Sequence, residues 1–170
     1  MAEFETVIQA LHDRQVRFVL IGVWGANLFA SEVGALFTTD DRDLFLPADP
    51  ENLLRAWQAC EASGLSLWSG NEPLDLPRDR FIADAIVARR ALVRATDERE
   101  LQIDLTLVMG GFEFEAVWNE RRTFMVGSTE IPVARLSHIV QSKAAAGREK
   151  DRLFLATHAD TLKQLLGRGD

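Results

Sequence analysis

The sequence predicts a mixed α/β domain, in which a mixed β-sheet is flanked by helices and the C-terminal helices pack on it. Three observations predict this class. Apolar residues recur at helical spacing in some segments and alternate with polar residues in others, and both kinds of segment follow one another along the chain. With 170 residues and 47% apolar residues, the chain suits one domain, 1–170, with a helical part at about 135–170.

The first half of the chain is predicted to alternate helix and strand. Apolar residues at helical spacing predict a helix over 2–14, and the β-branched run 16–21 predicts a strand that Gly22 ends. Asp49 then caps a helix whose first position is Pro50. The other elements predicted here are a helix from Trp24 to Phe29, a loop over 31–40, a strand over 42–46, and the end of the capped helix at Ser63 and Gly64.

The second half is predicted to hold strands, a hairpin and two helices. Prolines, Gly70 and many charges predict a loop over 69–80, and strands are expected between 81 and 108. The clearest strand is Leu101–Val108, where apolar and polar residues alternate. The other elements predicted here are a strand from Ala91 to Ala95, a short helix from Phe112 to Arg121, hairpin strands at Thr123–Val126 and Glu130–Val133, and helices at Leu136–Ala146 and Glu149–Leu166.

Composition excludes several classes of protein. A net charge of −7 argues against a broad electrostatic grip on nucleic acid, although a local basic patch stays open. The single cysteine, Cys60, forms no disulfide framework, and the N-terminal segment lacks the basic start of a signal peptide. No apolar stretch approaches the ~18 residues that a membrane span requires. We therefore expect a cytoplasmic protein without a membrane attachment.

Three aspartates are the main candidates for chemistry. Asp41 and Asp43 stand at the start of a predicted strand, where residues two apart face the same side at about 7 Å and their carboxylates repel without a cation. Asp104 lies on the polar side of an otherwise apolar strand. If the two strands are neighbours, the acids could hold two Mg²⁺ ions for phosphoryl or nucleotidyl transfer, and the third acid could take a hydroxyl proton. Alternatively, each acid caps a strand or faces water.

Two further features suit a phosphate ligand. The order of strand, Gly22 and helix aims free backbone N–H groups beyond the end of the strand. Lys143 emerges on the apolar face of its helix, where it either pairs with Asp151 or meets a nucleotide phosphate. Five basic residues stand against two acidic ones between Arg135 and Arg152, and this local excess suits a polyphosphate.

These residues resemble the motifs of the nucleotidyltransferase superfamily of the DNA polymerase β type, and more narrowly the small bacterial members that include abortive-infection-type toxins. Residues 18–26 and 37–44 resemble the opening pattern of strand, Gly-Gly or Gly-Ser, helix, and Arg-x-Thr-x-Asp-x-Asp. Asp104 within 103–105 matches the third acid, and 143–151 resembles Lys-x-x-Ala-x-x-Arg-x-Lys-Asp with one residue fewer between Ala146 and Arg148. The resemblance spans about residues 16–160.

The resemblance implies a nucleotidyltransferase-like fold and a Mg²⁺ or Mn²⁺ cofactor. Asp41, Asp43 and Asp104 would be the metal-binding and catalytic acids. The implied reaction moves a nucleoside monophosphate from a nucleoside triphosphate to an acceptor, which is RNA or a small molecule, and an antitoxin protein is an implied partner. The resemblance implies that the nucleotide is bound by Gly22, Trp24, Thr39, Lys143 and Arg148.

Three functional interpretations stay open at this point. The first is a metal-dependent nucleotidyltransferase, including a toxin that acts on RNA. The second is an antibiotic-modifying enzyme, because residues 22–25 resemble a turn of lincosamide and aminoglycoside nucleotidyltransferases. The third is a non-catalytic relative that binds a nucleotide or a protein partner. Val23, Phe37 and Arg42 favour the third, since they replace a small residue, an arginine and an apolar residue of the family pattern.

Overall fold

The structure, a computed structural model, describes residues 3–169, which hold eight helices and eight strands. The eight helices in this range are α1 (Phe4–Asp13), α2 (Gly22–Ala30), α3 (Pro50–Ala62), α4 (Arg80–Arg89), α5 (Phe114–Asn119), α6 (Leu136–Ala146), α7 (Glu149–Thr157) and α8 (Ala159–Gly167), with a 3₁₀ turn at Ser31–Val33. The eight strands are β1 (Val19–Ile21), β2 (Arg42–Phe45), β3 (Ser66–Ser69), β4 (Glu72–Pro73), β5 (Val93–Thr96), β6 (Gln102–Thr106), β7 (Arg122–Val126) and β8 (Thr129–Val133).

The strands form one mixed sheet in the order β4-β3-β5-β6-β2-β1-β8-β7. Strand β2 lies parallel to β6 and antiparallel to β1, and β1 lies parallel to β8. The remaining pairs are antiparallel. The predicted class, a mixed sheet flanked by helices, is therefore confirmed.

Successive side chains of a strand point to opposite faces of the sheet, so one face of β6 lies in the core and the other faces the cleft. In β6, Ile103 and Leu105 are buried, whereas Asp104 and Thr106 on the other face are only partly covered. Helix α3 contributes Leu53 and the fully buried Trp57 to the core. Helix α2 packs on β1 and β2 and contacts α6 and α8, which places the polar face of β6 near α6.

The predicted strands before residue 89 were wrong, because residues 80–89 form helix α4. The side chain of Asp79 accepts a hydrogen bond from the backbone N–H of Ile82 and caps this helix. Ala83 and Ile86 supply its buried face. Tertiary packing and the cap therefore outweigh the strand preference of the β-branched residues.

Two other boundaries differ from the prediction. Strand β3 was not predicted, and the predicted loop over 69–80 includes β4. The single helix predicted at Glu149–Leu166 is divided at His158, whose ring lies 4.7 Å from that of Phe37 and 4.9 Å from that of Phe154. The other predicted helices and strands are present with shifts of a few residues at their ends. Within residues 3–169, no helix has both the length and the apolar character needed to cross a membrane.

Candidate functional site

The three aspartates predicted from the sequence line one cavity. Asp43 on β2 is the direct register partner of Asp104 on β6, and facing residues of paired strands project from the same side of the sheet. Asp41, two residues before Asp43, lines the same cavity of about 560 Å³. The neighbouring strands that the sequence argument required are therefore present.

Glycine 22 brings the start of α2 against this carboxylate group. Its φ angle is +69°, a conformation that L-residues with a side chain rarely adopt. A Cβ atom added at this position would lie 2.7 Å from Oδ2 of Asp43. The position therefore requires glycine both for its backbone conformation and for the space that Asp43 occupies.

Asp43 is electrostatically disfavoured as a carboxylate. Burial, followed by the negative charges of Asp104 and Asp41, raises its pKa to about 6. The positive charges of Lys143 and Lys150 act in the opposite direction and reduce the rise in pKa. A bound divalent cation would favour the ionised form of Asp43, so this carboxyl group is suited to act as a ligand of a cation.

Arg94 engages the third aspartate, and sequence reasoning missed this residue. It is the register partner of Asp104 on β5. Its Nε donates to Oδ1 of Asp104 at 2.8 Å, and its Nη2 donates to Oδ2 at 3.1 Å. Both oxygens of Asp104 therefore already have a cationic partner, and hydrogen bonding to Asp104 raises the pKa of Arg94.

Of the three aspartates, only Asp41 and Asp43 are suited to bind a metal ion as they stand in this structure. In the described part of the chain, no group of three or more His, Cys, Asp or Glu side chains is arranged to hold a metal ion. Asp41 and Asp43 nevertheless offer the hard oxygen donors that Mg²⁺ uses, and Mg²⁺ commonly takes one or two carboxylates together with substrate phosphates. The pair therefore fits one divalent cation that arrives with a phosphate ligand, and Asp104 as a third metal ligand stays a prediction.

A second cavity of about 390 Å³ adjoins the first. The two cavities share a set of charged lining residues, which makes them two parts of one cleft. Thr39 lines the second cavity, where its hydroxyl accepts a hydrogen bond from the backbone N–H of Asp41 at 3.1 Å. The shared residues are Asp41, Asp43, Lys143, Arg148 and Lys150.

The basic wall of the cleft is built around Asp151, which is fully buried. Nε of Arg148 donates to Oδ2 of Asp151 at 2.7 Å, and Nζ of Lys143 lies 3.5 Å from Oδ1. Burial disfavours the charged form of Asp151, but the hydrogen bond from Arg148 and the charge of Lys143 prevail and lower its pKa. Burial also lowers the pKa of Lys143, and Asp151 opposes that change.

For Lys143, the predicted pairing with Asp151 is confirmed, and the contact with a nucleotide phosphate stays a prediction. It pairs with Asp151 and also lines both cavities, where a phosphate could reach it. Arg148 lines both cavities as well, and its contact with the nucleotide stays a prediction. Lys150 joins them although the sequence argument did not select it. The signals for Lys150 were the excess of basic residues between 135 and 152 and the second lysine of the motif that 143–151 resembles.

Trp24 does not reach the cleft, so its predicted contact with the nucleotide is not supported by its position. Its ring lies 6.0 Å from that of Phe4 and 4.5 Å from the guanidinium of Arg42. Neither Trp24 nor Arg42 lines the two cavities. Arg42 therefore does not fill the space beside the aspartates, although it separates Asp41 from Asp43 in the sequence.

Phe37, which replaces the arginine of the family pattern, holds the loop that leads to Asp41. Its backbone N–H donates to Oδ1 of Asn27 at 2.6 Å, and Nδ2 of Asn27 donates to its carbonyl oxygen at 2.8 Å. Its side chain is buried against Phe154 and His158. Val23, which replaces a small residue of the pattern, lines the second cavity.

Comparisons with known proteins do not place the chain in a family. No model of a known protein family matches the chain, and no curated protein matches it significantly. Function therefore has to be inferred from the geometry and chemistry of the cleft.

Proposed function

We propose that the cleft catalyses metal-dependent transfer of a nucleoside monophosphate from a nucleoside triphosphate to an acceptor hydroxyl, with RNA as the acceptor. The register pairing of Asp43 with Asp104, beside Asp41, is the observation that carries the proposal. Two neighbouring strands thereby direct carboxylates into one cleft that also has a basic wall. Nucleotidyl transfer requires this combination of metal-binding acids and phosphate-binding bases.

Asp41 and Asp43 are the residues that would hold Mg²⁺ or Mn²⁺. When bound, the ion neutralises charge on the triphosphate and polarises the α-phosphoryl group. The raised pKa of Asp43 supports this assignment, because a carboxylate that is buried and repelled by its acidic neighbours gains most from a cation.

The triphosphate is assigned to the space between Gly22 and the basic wall. Gly22 lines the first cavity at the start of α2, where the free N–H groups of a helix N-terminus favour an anion. Lys143, Arg148 and Lys150 provide positive charge at the border between the two cavities. These groups would bind the phosphates and stabilise the departing pyrophosphate.

The reaction follows from these positions. The acceptor oxygen forms a bond to the α-phosphorus, and the bond from the α-phosphorus to the oxygen that bridges to the β-phosphorus breaks. Asp104 accepts the proton of the acceptor hydroxyl, and pyrophosphate leaves with the electron pair of the broken bond. The product is a nucleotidylated acceptor.

Labelled nucleotide tests the proposal directly. The protein is incubated with each α-labelled nucleoside triphosphate, Mg²⁺ and total RNA, and we expect label on RNA. Asp41→Asn and Asp43→Asn abolish the transfer, whereas Asp160→Asn, which changes an exposed aspartate on α8, leaves it unchanged. Labelling that persists in both active-site variants refutes the proposed site.

Expression in cells separates the two enzymatic interpretations. If the protein is a toxin that modifies RNA, its expression arrests growth and Asp41→Asn relieves the arrest. An antibiotic-modifying enzyme instead gives drug resistance without growth arrest. Growth arrest by the Asp41→Asn variant as well would show that the arrest does not depend on this cleft.

Nucleotide binding without transfer is a second candidate function. The ion pair between Arg94 and Asp104 favours it, because this pair engages the third carboxylate. In that case a nucleoside triphosphate with Mg²⁺ stabilises the protein, but no acceptor is labelled under any condition.

A further inference from the structure

We infer that Arg94 takes the place of a second metal ion beside Asp104, so that this cleft works with one divalent cation instead of two. The inference rests on the proposed function and specifies its metal requirement.

The first observation that supports this inference is the geometry of the ion pair between Arg94 and Asp104. Two parallel N–H···O contacts of 2.8 and 3.1 Å occupy both oxygens of the carboxylate. Such paired contacts are stronger and more directional than a single ion pair. The side chain of Asp104 is 13% exposed and that of Arg94 is 42% exposed, so water screens the pair mainly from the Arg94 side.

The sheet also fixes the direction from which Arg94 approaches. Backbone register places Asp104 between Asp43 on one side and Arg94 on the other. The guanidinium therefore reaches Asp104 from β5, whereas a cation held by Asp41 and Asp43 lies at the β2 side. When the amide of Gln102 is oriented to satisfy both groups, its oxygen accepts from Nε and Nη2 of Arg94 at 3.3 Å and holds the guanidinium in place.

The balance of charged side chains in the cleft also supports one bound cation instead of two. Among the described residues, the two cavities are lined by four carboxylates and by four Lys or Arg side chains. The acids are thus balanced before any ligand binds. One divalent cation is then sufficient to bring in the triphosphate, and a second would have to displace Arg94 from Asp104.

Arg94 still permits Asp104 to act as a proton acceptor. Each carboxylate oxygen has two lone pairs, and Arg94 uses one on each oxygen. The acceptor hydroxyl can therefore donate to a remaining lone pair. An arginine side chain keeps its charge at any physiological pH, so Arg94 supplies a positive charge beside Asp104 whether or not a metal ion is bound.

The number of bound Mn²⁺ ions tests the inference without any measurement of turnover. Mn²⁺ is titrated into the protein with a saturating α,β-methylene nucleoside triphosphate, and bound ions per chain are counted by electron paramagnetic resonance after subtraction of the nucleotide-only sample. We expect one ion in the wild type and in Arg94→Lys. Arg94→Gln gains a second ion, and Arg94→Gln combined with Asp104→Asn returns to one.

Two ions in the wild type, or one ion in Arg94→Gln, overturn the inference. If Arg94→Gln does not fold, Asp104→Asn in the wild-type background decides instead. We expect this variant to keep the Mn²⁺ affinity of the wild type, whereas loss of a direct metal ligand weakens it by at least roughly 10-fold and refutes the inference. Absence of Mn²⁺ binding in every variant contradicts the proposed function itself, which separates the two failures.

Discussion

Gly22 lies so close to Asp43 that a Cβ atom on residue 22 would come within 2.7 Å of Oδ2 of the aspartate. The start of α2 and the acidic edge of β2 are therefore in direct contact. Any side chain at position 22 has to displace the carboxylate that we assign to the metal. If the cleft binds a nucleotide as proposed, we expect that binding to depend on the shape of this turn through the contact between Gly22 and Asp43.

Gly22→Ala tests this link, with Gly34→Ala as its matched control. Both glycines have positive φ angles, of +69° and +72°, but no atom lies within 4 Å of a Cβ at position 34. Each substitution costs about 1–2 kcal/mol of unfolding free energy for the backbone conformation. We expect only Gly22→Ala to lose thermal stabilisation by Mg²⁺ and nucleoside triphosphate. Equal nucleotide responses in the two variants would argue against the link.

The raised pKa of Asp43 predicts a pH-dependent stability of the metal-free protein. Its folded pKa of about 6 lies above the ordinary value near 3.8, so the folded state holds the proton more tightly. The free energy of unfolding therefore falls by roughly 3 kcal/mol at most as the pH rises from about 3.8 to about 6, and it levels off above pH 6. In urea denaturation, Asp43→Asn should remove this fall and be the more stable protein at pH 8. The control Asp160→Asn should keep the fall, and an unchanged pH profile in Asp43→Asn would contradict the assignment.

Removing the charge of Asp151 should weaken both the fold and the basic wall. Asp151→Asn leaves the largely buried Lys143 without its partner, which costs roughly 3 kcal/mol of unfolding free energy. The pKa of Lys143 should also fall further, because the group that opposes the effect of burial is lost. Chemical denaturation and NMR titration of the lysine measure these two effects.

Glu149→Gln is the control for this experiment. Glu149 and Asp151 both lie in the first turn of α7, so both substitutions remove the same favourable interaction with the helix dipole. Glu149 is exposed, and its substitution should change stability by less than about 1 kcal/mol. If both substitutions lower the free energy of unfolding by the same small amount, the ion pair between Lys143 and Asp151 does not stabilise the basic wall of the cleft.

Asn27 should be required for the loop that carries Asp41. Asn27→Ala leaves the backbone N–H and carbonyl of Phe37 without their side-chain partner, which costs about 2–4 kcal/mol. Affinity for a nucleoside triphosphate with Mg²⁺ should fall as well, measured by calorimetry. Asn119→Ala, at an exposed position of α5, should stay within about 0.5 kcal/mol of the wild type. If the Asn27→Ala variant keeps the nucleotide affinity of the wild type, the hydrogen bonds between Asn27 and Phe37 are not required for binding.

Local patterns were sufficient to predict much of the fold. Alternation along β6 separated the buried Ile103 and Leu105 from Asp104, because the strand period is a property of the sequence itself. Helix α4 was missed because its β-branched residues Ile82, Ile86 and Val87 resemble a strand. Asp79 at its N-cap was the signal that could have identified it.

The candidate site could be predicted only as far as its residues depend on local spacing. The acids were found because Asp41 and Asp43 stand two residues apart at the start of a predicted strand and Asp104 lies on the polar side of another. Arg94 was missed because its contact depends on which strands pair, and that pairing is a property of the whole sheet. The side chain of Trp24 does not line the two cavities, because a helix turns by about 100° per residue and carries it away from the cleft that Gly22 lines.

Thermal unfolding with and without Mg²⁺ and a nucleoside triphosphate tests the central claim most directly, namely that Asp41 and Asp43 bind a divalent cation together with the triphosphate. For the wild type at saturating ligand we predict a rise in melting temperature of roughly 5–10 °C that requires both components. Asp41→Asn and Asp43→Asn should each lose the Mg²⁺-dependent part of the rise. A wild-type protein that shows no rise, or variants that keep all of it, would contradict the claim.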